Sequence, residues 1–271
     1  MRVHAVARPK DACLTVSVAY DAIAADYDEE VRGDAWMRCV LHAHYARVFH
    51  AGQRVLDVGC GTGIDSLALA RMGVSVLGID GAAAMVQRLH EKVGAARLEA
   101  TVETRVLRIQ ELGLLGAERF DGIVSGFASL SSLPDLSGFA GDAARLVRPG
   151  GRLVLHVLNR FSVWEFLGYV ARGDVAAALR VGRVRRRVFV IGGQQVEHSL
   201  YFCDEAYRRF FAKAFRRRAG YSLGALRPPH TVRRLPAGLV STLEWLDVRT
   251  GHWPVVRNAG RFFVLDLERL P

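Results

Sequence analysis

The chain has 271 residues, 51% hydrophobic and 24% charged, and carries a net charge of +10 at pH 7. That composition is ordinary for a globular protein, and no run approaches the roughly 18 uncharged apolar residues of a membrane span. Cys13, Cys39, Cys60 and Cys203 are scattered with no C-x-x-C pair, and "MRVHAVARPKDACLTV" lacks a secretory apolar stretch, so reduced thiols and a cytoplasmic location are expected.

Helical spacing of apolar residues predicts two helices, over residues 21–31 and 35–49. A strict alternation follows. "RVLDVG" reads as a buried strand and "IDSLALARMG" as a helix ended by Gly73; "VSVLGID" and "GAAAMVQRLHEKVG" repeat the pair. "TRVLRI" and "FDGIVSG" are strands, "LPDLSGFAGDAARLV" a helix, and "GRLVLHVLN" a strand after the turn at Pro149–Gly151. Five strands alternating with helices imply a parallel sheet covered on both faces. After Asn159 the rhythm breaks. Residues 161–180 read as one or two helices with a bulky apolar face, and "RRRVFVIGGQQVEHSLYF" as a hairpin turning at Gly192–Gly193. "DEAYRRFFAKAF" reads as a helix that Asp204 caps, and "GRFFVLDLERL" as a last strand, antiparallel at the sheet's edge.

Charge is unevenly spread. The first 150 residues hold 16 Lys+Arg and 18 Asp+Glu, the remainder 21 and 9. Lysine occurs only at Lys10, Lys92 and Lys213, so the basic excess is arginine, and it hints at an anionic partner for the second half.

Gly59, Gly61 and Gly63 fill the turn after the first strand, where ligands of open parallel sheets bind. Glycine there permits positive φ and lets a ligand lie against bare backbone. A dinucleotide turn needs G-x-G-x-x-G; here the third glycine falls one residue early and Ile64 stands in its place. The wider pattern resembles the class I S-adenosylmethionine-dependent methyltransferases of small-molecule type. "VLDVGCGTG" matches that family's first motif, and Asp80 its ribose-binding acid. "FDGIVSGFASLSSL" is similar to its fourth strand and cofactor-lining loop, and "LVRPGGRLVL" to its Pro-Gly-Gly turn and fifth strand. "AYDAIAADYDEEV" looks like the N-terminal lid of such enzymes.

The resemblance implies a doubly wound, mostly parallel seven-stranded α/β sheet with a Rossmann-like methyltransferase fold. It implies lid helices over residues 1–50, a cofactor-binding core over 51–159, a substrate cap over 160–202 and a sheet-completing part over 203–271. It also implies S-adenosylmethionine as cofactor; the scattered His and Cys offer no ligand cluster and a sulfonium needs no Lewis acid, so no metal is expected. Asp80 would accept the ribose hydroxyls, with Gly59, Gly61, Gly63 and Gly81 at close backbone approaches. Asp57 would orient the loop or meet the ammonium through water, and Thr62 would tie the turn down. Ile109, Gln110 and Met85 would surround the adenine, Ser125 and Phe127 would line the cofactor, and Tyr20 and Tyr27 would close over it. Two departures stand out. Arg108 occupies the place of an adenine-binding acid, and "SGFA" replaces the tetrad used on exocyclic amines.

Methyl transfer from a sulfonium demands alignment rather than any one residue type, so the acceptor is weakly written in the chain. His198 is a candidate general base; His156, inside the fifth strand, is a weaker one and reads as a packed core histidine. Asn159, Arg160 and Trp164 are expected beside the acceptor, and an anionic acceptor is expected at Arg160. Phe161, Phe166, Leu167 and Tyr169 read as packing, and the run Arg180, Arg183, Arg185, Arg186 and Arg187 as a solvated face. His42 and His44, two apart on a helix, do not form a metal pair. The expected activity is methyl transfer to a small molecule, oxygen first among acceptor atoms, with nitrogen and carbon open. Alternatives are an RNA methyltransferase using the basic half, which no recognisable RNA-binding module supports, and a non-catalytic cofactor-binding subunit.

Overall fold

The computed structural model describes residues 9–230, 232 and 235–271, with side chains from Val16 onward, so Cys13 lies outside the described side chains. Helices α1 (Pro9–Ile23), α2 (Tyr27–Glu30) and α3 (Ala35–Val48) precede β1 (Arg54–Val58). The chain then alternates through α4 (Ile64–Arg71), β2 (Ser75–Asp80), α5 (Ala83–Ala96), β3 (Val102–Val106), β4 (Phe120–Ser125), α6 (Ser137–Leu146) and β5 (Val147–Leu158). Next come α7 (Val163–Ala171), α8 (Val175–Arg180), and the hairpin β6 (Arg186–Ile191) and β7 (Gln194–Ser199). The chain finishes with α9 (Cys203–Ala206), β8 (Phe215–Leu223), α10 (Ala237–Thr250) and β9 (Phe262–Arg269).

Seven strands form one sheet in the order β3-β2-β1-β4-β5-β9-β8, parallel except for β9, which is the expected doubly wound architecture. Side chains alternate across the pleat. Val55, Val76, Val124, Val154 and Val264 face one core, beneath α3, α4 and α5. Leu56, Leu77, Ile123, Leu153 and Leu265 face the other, beneath α6 and the segment after α9. Both faces are dry, so strands flanked by helices read as unbroken apolar runs. Strand order reverses between β1 and β4, and that switch point fixes where a ligand can sit. Among the described residues no helix is long and apolar enough to cross a membrane.

Four local readings are corrected. The last strand is interior: β9 lies between β5 and β8, because Phe262–Leu267 are buried on both faces. The edge belongs to β8, whose Arg216, Arg217 and Arg218 suit an exposed strand. Asp204 does not cap a helix. It sits inside α9, and its carboxylate accepts from Arg217 (2.5 Å), Arg257 (2.8 Å) and Asn258 (3.4 Å), clamping α9 to β8 and to the turn before β9. The helix expected over 21–31 is broken at Ala24–Asp26, and its two parts belong to α1 and α2. The last two thirds of the segment read as one helix from Asp204 becomes a π-helical turn over Tyr207–Phe211 and the start of β8.

The β6–β7 hairpin turns at Gly192–Gly193 and leans its tip on α1. Gly192 has φ +53°, and a Cβ there would lie 2.4 Å from the Ala19 carbonyl oxygen and 2.9 Å from Ala22 Cβ. Gly192→Ala is therefore expected to lift the hairpin from α1 and to cost about 1–2 kcal/mol through its left-handed backbone alone. Thermal unfolding together with limited proteolysis of the hairpin checks this; an unchanged midpoint and cleavage pattern would show that the contact is dispensable.

Candidate functional site

Gly59, Gly61 and Gly63 have φ of +71°, +52° and +84°, all left-handed, but they are needed for different reasons. A Cβ on Gly59 would lie 2.4 Å from Ser129 Cβ, and one on Gly63 would lie 2.1 Å from Leu89 Cδ1. Those two allow protein to pack on protein. Around Gly61 the nearest atom would be Tyr27 Cε1 at 3.8 Å, so its missing side chain leaves open space. That space is a cleft of about 670 Å³.

Asp80 ends β2 at the cleft wall. Its Oδ1 accepts from the Ala82 N–H (2.8 Å) and its Oδ2 from the Gly61 N–H (2.9 Å), which fixes the carboxylate while leaving acceptor capacity. Burial nonetheless pushes its pKa up, so any hydroxyl donor that lands there relieves a desolvated charge. Tyr20, Tyr27, Gly59, Gly81, Met85, Ile109, Gln110 and Phe127 also line the cleft. Ten residues of the sequence-derived cofactor set thus meet around one space. Tyr20 and Tyr27 stand edge to face at 6.3 Å, and burial raises both phenol pKa values, so both remain neutral donors.

Four members of the set act from elsewhere. Thr62 donates to Asp28 Oδ1 (2.5 Å), tying the glycine turn to α2, and lines a narrow arm of the cleft. Asp57 lies beneath, accepting from Ser66 Oγ (2.5 Å); burial and the nearby Asp65 raise its pKa. Ser125 donates to the Val58 carbonyl (2.8 Å), joining β4 to β1, and Gly63 packs on Leu89. These last three line neither the cleft nor its narrow arm; they pack and hydrogen-bond behind the glycine turn.

The narrow arm also holds a buried ion pair that local sequence patterns did not reveal. Arg38, on α3, reaches Asp65, on α4, at 3.2 Å, and His42 reaches the same carboxylate at 2.7 Å. Burial opposes ionisation of Asp65, but Arg38 and His42 outweigh it and hold its pKa below the usual range. The Arg38 guanidinium lies 3.9 Å from the Phe127 ring centroid, and its Nε has no hydrogen-bond partner among the described residues. Ser17, Ser129 and Ser132 are further cleft residues that the motif reading did not single out. Ser129 was within the loop quoted for its resemblance; Arg38 and Asp65 are 27 residues apart and share no local signal.

Beyond Tyr20, Tyr27, Phe127 and His198, which form a shared wall, lies a first chamber of about 920 Å³. It shares Asp34, Leu158, Phe189 and Arg261 with a second chamber of about 1090 Å³. The backbone at the wall is strained: consecutive non-glycine residues Phe127 and Ala128 have φ of +44° and +67°. His156 holds that bend. Its Nδ1 accepts from the Phe127 N–H (3.2 Å), its carbonyl accepts from the Ala128 N–H (2.9 Å), and its ring lies against Phe262 at 4.4 Å. Burial lowers its pKa to about 3. His156 lines no cavity and is a neutral positioning residue. His198, on β7, does line both the cleft and the first chamber, with its ring edge-on to Phe189 at 5.0 Å. Burial lowers its pKa too, and Nδ1 has no hydrogen-bond partner among the described residues.

Of the residues expected at the acceptor, Asn159 and Trp164 line the second chamber. Arg160 does not. It is buried, bonded to Glu205 (2.5 Å) and the Leu200 carbonyl (3.4 Å), and stacked on Phe202 at 4.8 Å. The chain leaves β5 bridged to Tyr201, which turns Arg160 back toward the hairpin's stem. Arg160→Ala is accordingly expected to cost about 3 kcal/mol of stability, the scale for breaking a buried pair, while cofactor affinity stays unchanged. Chemical denaturation and calorimetry read the two effects separately. The run read as a solvated face is largely paired: Arg185 with Glu205, Arg186 with Glu197, Arg187 with Glu165. Among the described residues, no group of three or more His, Cys, Asp or Glu is placed to hold a metal.

Residues 55–151 match the family described as methyltransferase domain. The chain is 35% identical over 147 residues to the ubiquinone biosynthesis O-methyltransferase of Xanthomonas axonopodis pv. citri, covering 54% of this chain and 59% of that one. It is 40% identical over 111 residues to the protein of that name from Alkalilimnicola ehrlichii, covering 40% and 43%. The match thus spans less than two thirds of either relative. Among solved structures, the Burkholderia thailandensis 1,6-didemethyltoxoflavin N1-methyltransferase aligns with a TM-score of 0.61 at 18% identity, over 100% of this chain and 94% of that one. Geranyl diphosphate C-methyltransferase from Streptomyces coelicolor A3(2) aligns with a TM-score of 0.54 at 15% identity, over 86% and 78%. At those identities the likeness speaks for the fold. The methyltransferase domain runs through the glycine turn at the switch point of this sheet, and the chain shares the Rossmann-like fold of the S-adenosylmethionine-dependent methyltransferases that it resembles.

Proposed function

We propose that this protein transfers a methyl group from S-adenosylmethionine to a small-molecule acceptor, with oxygen as the acceptor atom. The observation that carries the reading is the shared wall: a cleft suited to the cofactor abuts an acceptor-sized chamber at Phe127 and His198. The cofactor supplies an electrophilic methyl carbon on a sulfonium. Asp80 binds the ribose diol, and Met85, Ile109 and Gln110 enclose the adenine. Bare backbone at Gly61 lets the methionine part pass into the narrow arm, where the Arg38–Asp65 pair faces a carboxylate and an ammonium with opposite charges. Tyr20 and Tyr27 exclude water from above. His198, kept neutral by burial, takes the acceptor's proton as the new bond forms.

Oxygen is favoured because the O-methyltransferase relatives are 35–40% identical, whereas the N- and C-methylating neighbours are 18% and 15%. An RNA substrate is disfavoured by the pairing of the basic run. Much of the excess arginine is spent on carboxylates, as with Arg216 and Arg218 on Glu268, and does not form an open phosphate-binding stripe. The test is incubation of the protein with methyl-labelled cofactor and a bacterial small-molecule extract, followed by mass spectrometry. A labelled, low-mass O-methyl product is expected. Tight cofactor binding with no labelled product from any extract would leave a non-catalytic binding subunit, and label in RNA would overturn the acceptor class.

A further inference from the structure

The second chamber carries charge that methyl transfer itself does not use. Arg172, Arg187, Arg227 and Arg261 line it, against the acids Asp34 and Glu165. Three of the arginines are answered: Arg187 by Glu165 at 2.8 Å, Arg227 by Glu244 at 3.1 Å, and Arg261 by Asp34 at 2.8 Å. Arg172, just beyond the end of α7, is different. Its guanidinium lies 5.0 Å from the Tyr169 ring centroid, and it forms no ion pair among the described residues. Stacked on a ring, a guanidinium keeps its in-plane N–H groups available to an anion. With the other three arginines answered by carboxylates, Arg172 is the cation of this wall that is left without an ion-pair partner among the described residues.

We propose that the second chamber is a subsite for the distal end of the acceptor, and that this end carries a carboxylate or phosphate held by Arg172. The inference rests on the reading of the first chamber as the acceptor's seat. The second chamber shares walls with the first and no residue with the cofactor cleft, so a group held there lies at the far end of the molecule from the methylated atom. Trp164, Tyr169, Trp36 and Phe189 give the same chamber a broad aromatic lining for the body that joins the two ends. An acceptor anchored at both ends has its rotation fixed, as an in-line displacement requires. The expected anion therefore meets Arg172, on the cap, in place of Arg160.

The test needs no turnover. Protein loaded with S-adenosylhomocysteine is titrated, by tryptophan fluorescence, with 4-hydroxyphenylalkanoic acids of increasing chain length, their methyl esters, and matching phosphate monoesters. Acid or phosphate is expected to bind about tenfold more tightly than the ester once the chain spans both chambers, and added salt should shrink the difference. The carboxylate and phosphate arms identify the anion. Arg172→Gln should erase the preference and leave ester binding and S-adenosylhomocysteine affinity unchanged, and Arg172→Lys should restore part of it. Acids, phosphates and esters binding alike, no probe binding at all, or a loss in Arg172→Gln shared equally by the esters would each overturn the subsite. Cofactor affinity is measured separately by calorimetry. If it is absent, the methyl-transfer reading fails while the acid–ester comparison, run on the unloaded protein, still decides the charge of the chamber.

Discussion

Gly61→Val is expected to abolish binding of S-adenosylmethionine and S-adenosylhomocysteine while the protein remains folded. The reason is specific to the middle glycine. An added Cβ at Gly61 meets no protein atom closer than 3.8 Å, so a side chain there fills the open cleft in which the proposed function seats the cofactor. Its φ of +52° adds a backbone cost of about 1–2 kcal/mol, which Gly61→Ala would report with far less occlusion. Gly59→Ala and Gly63→Ala should behave differently, because their Cβ atoms would strike Ser129 and Leu89 and destabilise the fold itself. Asp80→Ala should weaken cofactor binding by about 1.5–3 kcal/mol, the range for hydrogen bonds to a charged group. Calorimetric titration beside a thermal unfolding curve distinguishes all five. Wild-type affinity in Gly61→Val would move the cofactor out of this cleft.

His198→Gln is expected to lower kcat by about 100-fold or more, the lower end for a general base, with cofactor affinity unchanged. Burial disfavours the imidazolium, so the folded pKa lies below the ordinary value. The base form therefore prevails through neutral pH, and wild-type kcat/KM should fall only as acid reaches that lowered pKa. The variant should lose this limb of the profile. The same sign governs stability. Because the unfolded chain binds a proton at higher pH than folded His198 or His156, their contribution is complete above the unfolded pKa and declines as pH falls below it. An identical pH profile in His198→Gln would remove the residue from the chemistry, and retention of full kcat would show that alignment alone suffices.

The two histidines show where local reading ends. Both lie on strands of the second half and look equivalent as letters. The sheet places His156 under Phe127, as a fixed acceptor for a strained backbone N–H, and the hairpin carries His198 to the wall between two cavities. Arg160 and Arg172 repeat the lesson with the opposite outcome. Proximity to the end of β5 pointed to Arg160, yet the bridge to Tyr201 turns it onto Glu205. Arg172 follows a helix whose apolar residues gave no reason to single it out.

What the sequence by itself determined rests on short-range chemistry. Short apolar runs and helical apolar spacing set the alternating strands and helices, and the run Gly59–Gly63 with Asp80 marked the switch point of the sheet. The tertiary structure decided what depends on long-range placement. It put β9 inside the sheet, since a strand buried on both faces needs neighbours on both edges and its own sequence does not name them. It joined Arg38 to Asp65, bent Asp204 into a clamp, and laid Gly192 on α1, which sets the hairpin's Phe189 and His198 along the first chamber. Such contacts join residues far apart in the chain, and their energy comes from burial and charge pairing that exist only once the sheet has formed.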